Sequence, residues 1–232
     1  MFLHFCNVAC LDDTRSASEV TYRPLPHTDG WQTLLMEMFF RDISLEVLVT
    51  FSQDFAETHY CIDWKGITCL EGVVTSLKYN WVNVGNFYIN AVPPDVKDLS
   101  ISTSNQEYSI ETHSWGRSLS FVDLSINNLY GTVDLTALPR HLRVLYLYQN
   151  KLRGPLDLTN LPTTLHILSL ESIEITQPVI FYANLPPSIK NISLRWPPTT
   201  IWGTTPKICA SNPLHTTKHK DIFLNIPERY IT

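Results

Sequence analysis

The chain has no uninterrupted apolar run of the roughly 18 residues that a membrane-crossing helix needs. LLMEMFF and ISLEVLVTF are split by Arg41 and Asp42, so no integral membrane segment is expected. A basic surplus is also missing: 17 Lys and Arg stand against 22 Asp and Glu, for a net charge of −5. That balance argues against a dedicated nucleic-acid binder, which carries a basic footprint. KHK at 218–220 is the local exception and reads as a solvated tail. There is no phosphate-binding glycine loop, no nucleophile elbow and no HExxH. His215 and His219 have a metal-like spacing, yet Pro213, Thr216 and Thr217 oppose a helix and no acidic ligand is near, so they read as surface histidines. No cofactor, metal or catalytic group is therefore expected. What remains is a globular composition, 44% apolar and 17% charged, with an odd set of five cysteines: Cys6, Cys10, Cys61, Cys69 and Cys209.

The apolar residues carry a repeat. LRVLYLYQNKLRG starts at Leu142, LSFVDLSINNLYG at Leu119 and LHILSLESIEITQ at Leu165, in steps of 23. Val74, Val96 and Ile189 open further units at steps of 22 to 24. Val92-Pro93, Leu138-Pro139, Leu161-Pro162 and Leu185-Pro186 each stand four residues before the next unit. A fixed period in the twenties predicts a solenoid whose units are single coils. In each coil LxxLxL supplies a short strand with its second and third apolar residues inward. Asn127 and Asn150 then satisfy backbone groups at the bend, and Gly131 and Gly154 allow the tight path beyond it. The same slot holds Val82, Ser104, Ile173 and Pro197 elsewhere, so those coils turn by other means.

This spacing resembles the leucine-rich repeat family over about residues 61–196, and most closely at Leu119–Gly131 and Leu142–Gly154. The near-copies DLTALPRHL and DLTNLPTTL look like repeats of trypanosomatid leucine-rich-repeat proteins. CIDWKGITC at 61–69 is similar to the Cys-Trp-Gly-Val-x-Cys element of the N-terminal cap in extracellular, plant-type members. Upstream, Trp31, Leu34, Leu35, Met38 and Phe39 have helical spacing behind Thr28 or Asp29 as N-cap, which also suits such a cap. The resemblance implies an α/β-type horseshoe fragment with a short parallel β-sheet on the concave face and an irregular convex side. It implies a Cys61–Cys69 disulfide; free core thiols and a metal site are the other readings of that pair. The expected divisions are a leader at 1–27, unstructured or a signal-peptide remnant, a cap at 28–73, about six repeats at 74–196 and an irregular closing segment at 197–232.

Strand alternation also assigns the concave surface. Counting each unit's first apolar residue as position one, position three reads Ser76, Asp98, Phe121, Val144, Ile167 and Asn191. Position five reads Lys78, Ser100, Asp123, Tyr146, Ser169 and Ser193, with Tyr148, Glu171, Arg195 and Trp196 just beyond. Phe121, Asp123, Val144, Tyr146, Tyr148, Ile167, Glu171 and Trp196 are the expected partner-binding residues, because exposed aromatics beside apolar side chains suit a binding hot spot. The alternative is that a neighbouring part of the chain, such as its tail, covers them. Asn191 heads a weak N-glycosylation sequon, NIS. The expectation is a non-enzymatic module that binds a protein ligand or receptor, or a glycan, in a secreted or cell-surface setting. A cytoplasmic scaffold and a fragment of a longer repeat protein are the alternatives.

Overall fold

The computed structural model describes residues 30–53, 59–194, 206–211, 220–224 and 226–231. The leader at 1–27, the N-cap candidates Thr28 and Asp29, Trp196, His215 and His219 lie outside these residues. The chain begins with helices α1 (Gly30–Phe39) and α2 (Leu45–Phe51). α1 forms where the spacing predicted it, and of the expected stripe Phe39 is buried and Leu35 packs on the core while the rest turns outward. Met36, Phe39, Phe40 and Ile43 are inside, while Trp31 is 70% exposed and Leu34 and Met38 are also on the surface. The reason is the aromatic nest that α1 must cover. Phe40 meets Trp64 at 5.2 Å and Phe51 meets Tyr79 at 4.9 Å, with Phe87 stacked on Tyr79 at 4.7 Å. Gln32 ties α1 down by accepting from the Val74 N–H at 2.8 Å and donating to the Gly72 carbonyl at 3.0 Å.

Strands β1 (Ile67–Leu70) and β2 (Val73–Lys78) form an antiparallel hairpin that closes the cap. The sulfurs of Cys61 and Cys69 are bonded, with Cα atoms 5.5 Å apart. Gly66 sits at φ +84°, where a Cβ would meet the Lys78 carbonyl at 2.6 Å and the Tyr79 ring at 2.7 Å. Only glycine fits that crossing.

From β2 the chain coils. β3 (Asp98–Ser100), β4 (Phe121–Asp123), β6 (Val144–Tyr146), β8 (Ile167–Ser169) and β11 (Asn191–Ser193) add in parallel, one per unit. β5 (Tyr130–Gly131), β7 (Lys151–Gly154) and β9 (Glu174–Ile175) make a second, small sheet after the bends. The Pro of each LP step starts a tight turn, with Val96, Leu142, Leu165 and Ile189 N–H groups donating to the carbonyls of Pro93, Pro139, Pro162 and Pro186. Among the described residues the outer side of the repeats carries short 3₁₀ turns at Ile89–Ala91, Thr112–Ser114 and Leu135–Ala137. Inward leucines fill the interior: Leu119, Leu124, Leu142, Leu145, Leu147, Leu165 and Leu168 are at most 1% exposed. This is a leucine-rich-repeat solenoid.

The bends use two chemistries. Asn127 donates to the carbonyls of Ile101, Leu124 and Ser125 and accepts from the Ser104 and Gln106 N–H groups, all within 3.2 Å. Where Asn is missing, Ser104 donates to the Tyr79 carbonyl at 2.7 Å, and Gln106 accepts from the Phe87 N–H and donates to the Gly85 carbonyl. Within 197–232 the described residues are more regular than the sequence suggested. After β10 (Val179–Tyr182), β12 (Lys207–Ala210) runs parallel to it, and β13 (Phe223–Leu224) runs parallel to β11. Phe223 continues the buried row opposite Ile192, so side-chain burial holds these strands although no LxxLxL spells them.

Candidate functional site

The strands stand in one register. Ser76, Asp98, Phe121, Val144, Ile167 and Asn191 pair across neighbouring strands, as do Lys78, Ser100, Asp123, Tyr146, Ser169 and Ser193. Between these rows run the buried Leu77, Leu99, Val122, Leu145, Leu168 and Ile192. Phe121, Val144, Ile167, Tyr146 and Tyr148 are therefore brought together on the concave surface, each half-buried. Phe121 meets Tyr146 edge-on at 6.1 Å, and Tyr146 meets Tyr148 edge-on at 6.2 Å. Such perpendicular pairs favour the negative ring face against a positive edge.

Two acidic residues of this surface, Asp123 and Glu171, are engaged. Asp123 accepts from the Ser125 N–H at 3.0 Å and hydroxyl at 2.6 Å, closing its own bend. Glu171 accepts from the Ser193 hydroxyl. Ser193 is also the third residue of the NIS sequon, so a glycan on Asn191 would stand on the concave sheet beside Ile167. Arg195 and Trp196 lie outside the described residues. Among the described residues no group of His, Cys, Asp and Glu is placed to hold a metal.

One row escaped the sequence reading. Position two of successive units holds Lys97, Ser120, Arg143, His166 and Lys190, just before each concave strand. Backbone bonds of 2.7–2.8 Å link these residues coil to coil: Ser120 to Lys97, Arg143 to Ser120, His166 to Arg143 and Lys190 to His166. Lys97, Ser120, Arg143 and His166 line a groove of about 690 Å³ with Ser118, His141, Thr163, Thr164 and Ser188. The signal was in the sequence: the same 23-residue step that aligned positions three and five aligns position two.

A parallel concave sheet, inward leucines, hydrogen-bonded bends and a disulfide-closed cap define the leucine-rich-repeat fold. Several solved structures share it. Pollen Receptor Kinase 3 superposes with a TM-score of 0.59 at 16% identity, over 84% of this chain and 98% of that one. The leucine-rich-repeat ectodomain of the receptor kinase SOBIR1 from Arabidopsis thaliana gives 0.52 at 20% identity, over 73% and 97%. The ectodomain of GASSHO1/SCHENGEN3 from Arabidopsis thaliana, in complex with CASPARIAN STRIP INTEGRITY FACTOR 2, gives 0.54 at 18% identity over 82% of this chain and 26% of that one. At these identities the likeness establishes the fold. No family model matches the chain, and no curated protein does.

Proposed function

We propose that this chain is a non-enzymatic recognition module that binds a protein or peptide partner through its concave sheet. The observation that carries the reading is the contiguous patch of Phe121, Val144, Tyr146, Tyr148 and Ile167, half-buried on the concave face. Aromatic side chains are the anchors that most often dominate interface energy, each worth about 2 kcal/mol or more when central. The described parts of the closing segment pair at the last strands, beside β10 and β11, which favours a partner over self-coverage of the middle coils. The fold likeness to receptor ectodomains, one of them holding a bound factor, supports the same class of role.

The partner surface is modest. Eight strands at about 4.8 Å make a sheet about 34 Å long, and with most of them only two to four residues long its face is still short of the roughly 800 Å² per side of a standard interface. Modest affinity, or help from surfaces beside the sheet, follows. The Cys61–Cys69 disulfide supports an oxidising setting, secreted or at the cell surface. The likeness to the plant solved structures is one of fold, and none of them bears on the trypanosomatid-like DLTxLP copies.

The test is a binding screen against extracellular proteins and peptides, repeated with F121A/Y146A/Y148A. The variant should lose capture of any partner while keeping the wild-type far-UV circular dichroism. Unchanged capture would remove the site assignment. Alkylation and mass spectrometry of native protein check the compartment: free Cys61 and Cys69 would favour a cytoplasmic scaffold.

A further inference from the structure

The aromatic patch leaves the rim beside it unexplained. Lys97, His141, Arg143 and His166 line the groove there, Lys190 continues their row, and no lining residue is a carboxylate. This gathering runs against a chain whose net charge is −5. We infer that the rim groove binds an acidic peptide segment of the partner, an inference that rests on the reading of the concave face as a partner site.

The cations are not committed elsewhere. Among the described residues no carboxylate comes within ion-pair distance of Lys97, Arg143 or Lys190; the ion pair found, Arg41 with Asp42 at 3.6 Å, belongs to the cap. The groove's hydroxyls serve the fold. Thr164 donates to the carbonyls of Arg140 and Leu142 at 2.8 Å, and Ser188 to those of Thr163 and Leu165 at 2.8 and 2.7 Å. The His166 Nδ1–H donates to the Thr164 carbonyl at 2.7 Å, which pins the ring to the wall. The walls are thus fixed from within, and the charges remain for something outside.

Adjacency selects the ligand. Arg143 directly precedes Val144 and His166 directly precedes Ile167, so two basic residues border two of the three apolar members of the row, with Ser120 beside Phe121. A ligand using both needs acidic groups beside apolar ones, and a peptide supplies both. A sulfated glycan offers the charge without the apolar groups. Coils about 4.8 Å apart place Arg143, His166 and Lys190 in succession before an extended chain laid across them.

Fluorescence anisotropy on the full chain tests this with labelled hexaglutamate, hexaglutamine and a heparin hexasaccharide. Hexaglutamate should bind more tightly than hexaglutamine, and salt should weaken it because exposed charges are screened. R143E/K190E, at two exposed positions, should keep the far-UV spectrum and lose at least about tenfold in hexaglutamate affinity. F121A/Y146A/Y148A should leave hexaglutamate binding intact, so failure of the groove and failure of the aromatic face read out separately. Equal binding of hexaglutamine, no loss in R143E/K190E, or binding of heparin without hexaglutamate would each overturn the inference.

Discussion

Asn127 and Asn150 sit one coil apart and share an acceptor. The Leu124 carbonyl receives the Asn127 amide at 3.0 Å and the Asn150 amide at 2.9 Å. Each single alanine substitution leaves that carbonyl one donor, yet strands other buried groups, the Ser104 N–H in one case and the Leu129 N–H in the other. A buried group left unpaired costs about 1–3 kcal/mol. Urea unfolding should therefore show a loss of that order for N127A and for N150A. The double variant should lose more than the sum, because only it strips Leu124 of both bonds; strict additivity would refute the shared-acceptor account. Tyr79 poses the opposite case. Its ring is 3% exposed, and its hydroxyl meets no hydrogen-bond partner among the described residues. Burial, and after it the neighbouring Tyr60 phenol, push the Tyr79 phenol far above its ordinary range. A raised folded-state value means the contribution is whole below the unfolded value of about 10 and is lost as pH rises from there toward the folded one. Y79F should match or exceed wild-type stability at neutral pH and show a shallower fall in melting temperature under alkaline conditions. An unchanged alkaline limb would show that this phenol does not drive it.

Elements formed where the pattern was strong and shifted where tertiary contacts decided. The repeat made the concave strands and their inward leucines legible because burial on one face imposes a fixed period. Positions three and five followed from strand alternation, and the strands pair at those positions across the coils. Position two lies just before the strand, where alternation gives no rule, so the basic row stayed unseen until the coils were stacked. α1 shows a different limit. Its apolar residues outnumber what one face can bury, and the aromatic nest chose Met36 and Phe39 over Trp31 and Leu34. β12 and β13 were illegible because two isolated inward residues, Ile208 and Phe223, carry no period. The cap hairpin is the element most open to test. Closing a loop at a separation of 8 residues should stabilise by about 2.5 kcal/mol in the chain-entropy account. C61A/C69A should lower the melting temperature accordingly. G66A should cost as much or more, since its Cβ must displace the Lys78 backbone at a positive φ. A melting temperature within a degree of wild type in either variant would mean the cap does not limit stability.

As a whole the molecule is a stack in which each coil contacts its neighbours, so its stability should be close to a sum of coil and interface terms. That makes the period itself a testable quantity. Residues 142–164 form one complete unit of 23 residues, and Leu165 can take the place of Leu142 after His141. Excising that unit should bring β8 against β4 in the register both now hold with β6. The inward row then runs Val122, Leu168, Ile192 without a break, and the Pro139 carbonyl can accept from Leu165 as it now does from Leu142. Excising half a unit, residues 142–153, should instead remove a strand and its Asn while keeping its LP turn, leaving a coil with nothing to bury. The full-unit deletion should therefore unfold in one cooperative transition with the strand signature per residue preserved, and the half-unit deletion should not. It would also lack Val144, Tyr146, Tyr148 and Arg143, so partner and hexaglutamate binding should both fall in a protein that remains folded. Loss of cooperativity on removing a whole period, measured by thermal unfolding with sedimentation to exclude aggregation, would show that the coils are not interchangeable and that the stack depends on contacts beyond nearest neighbours.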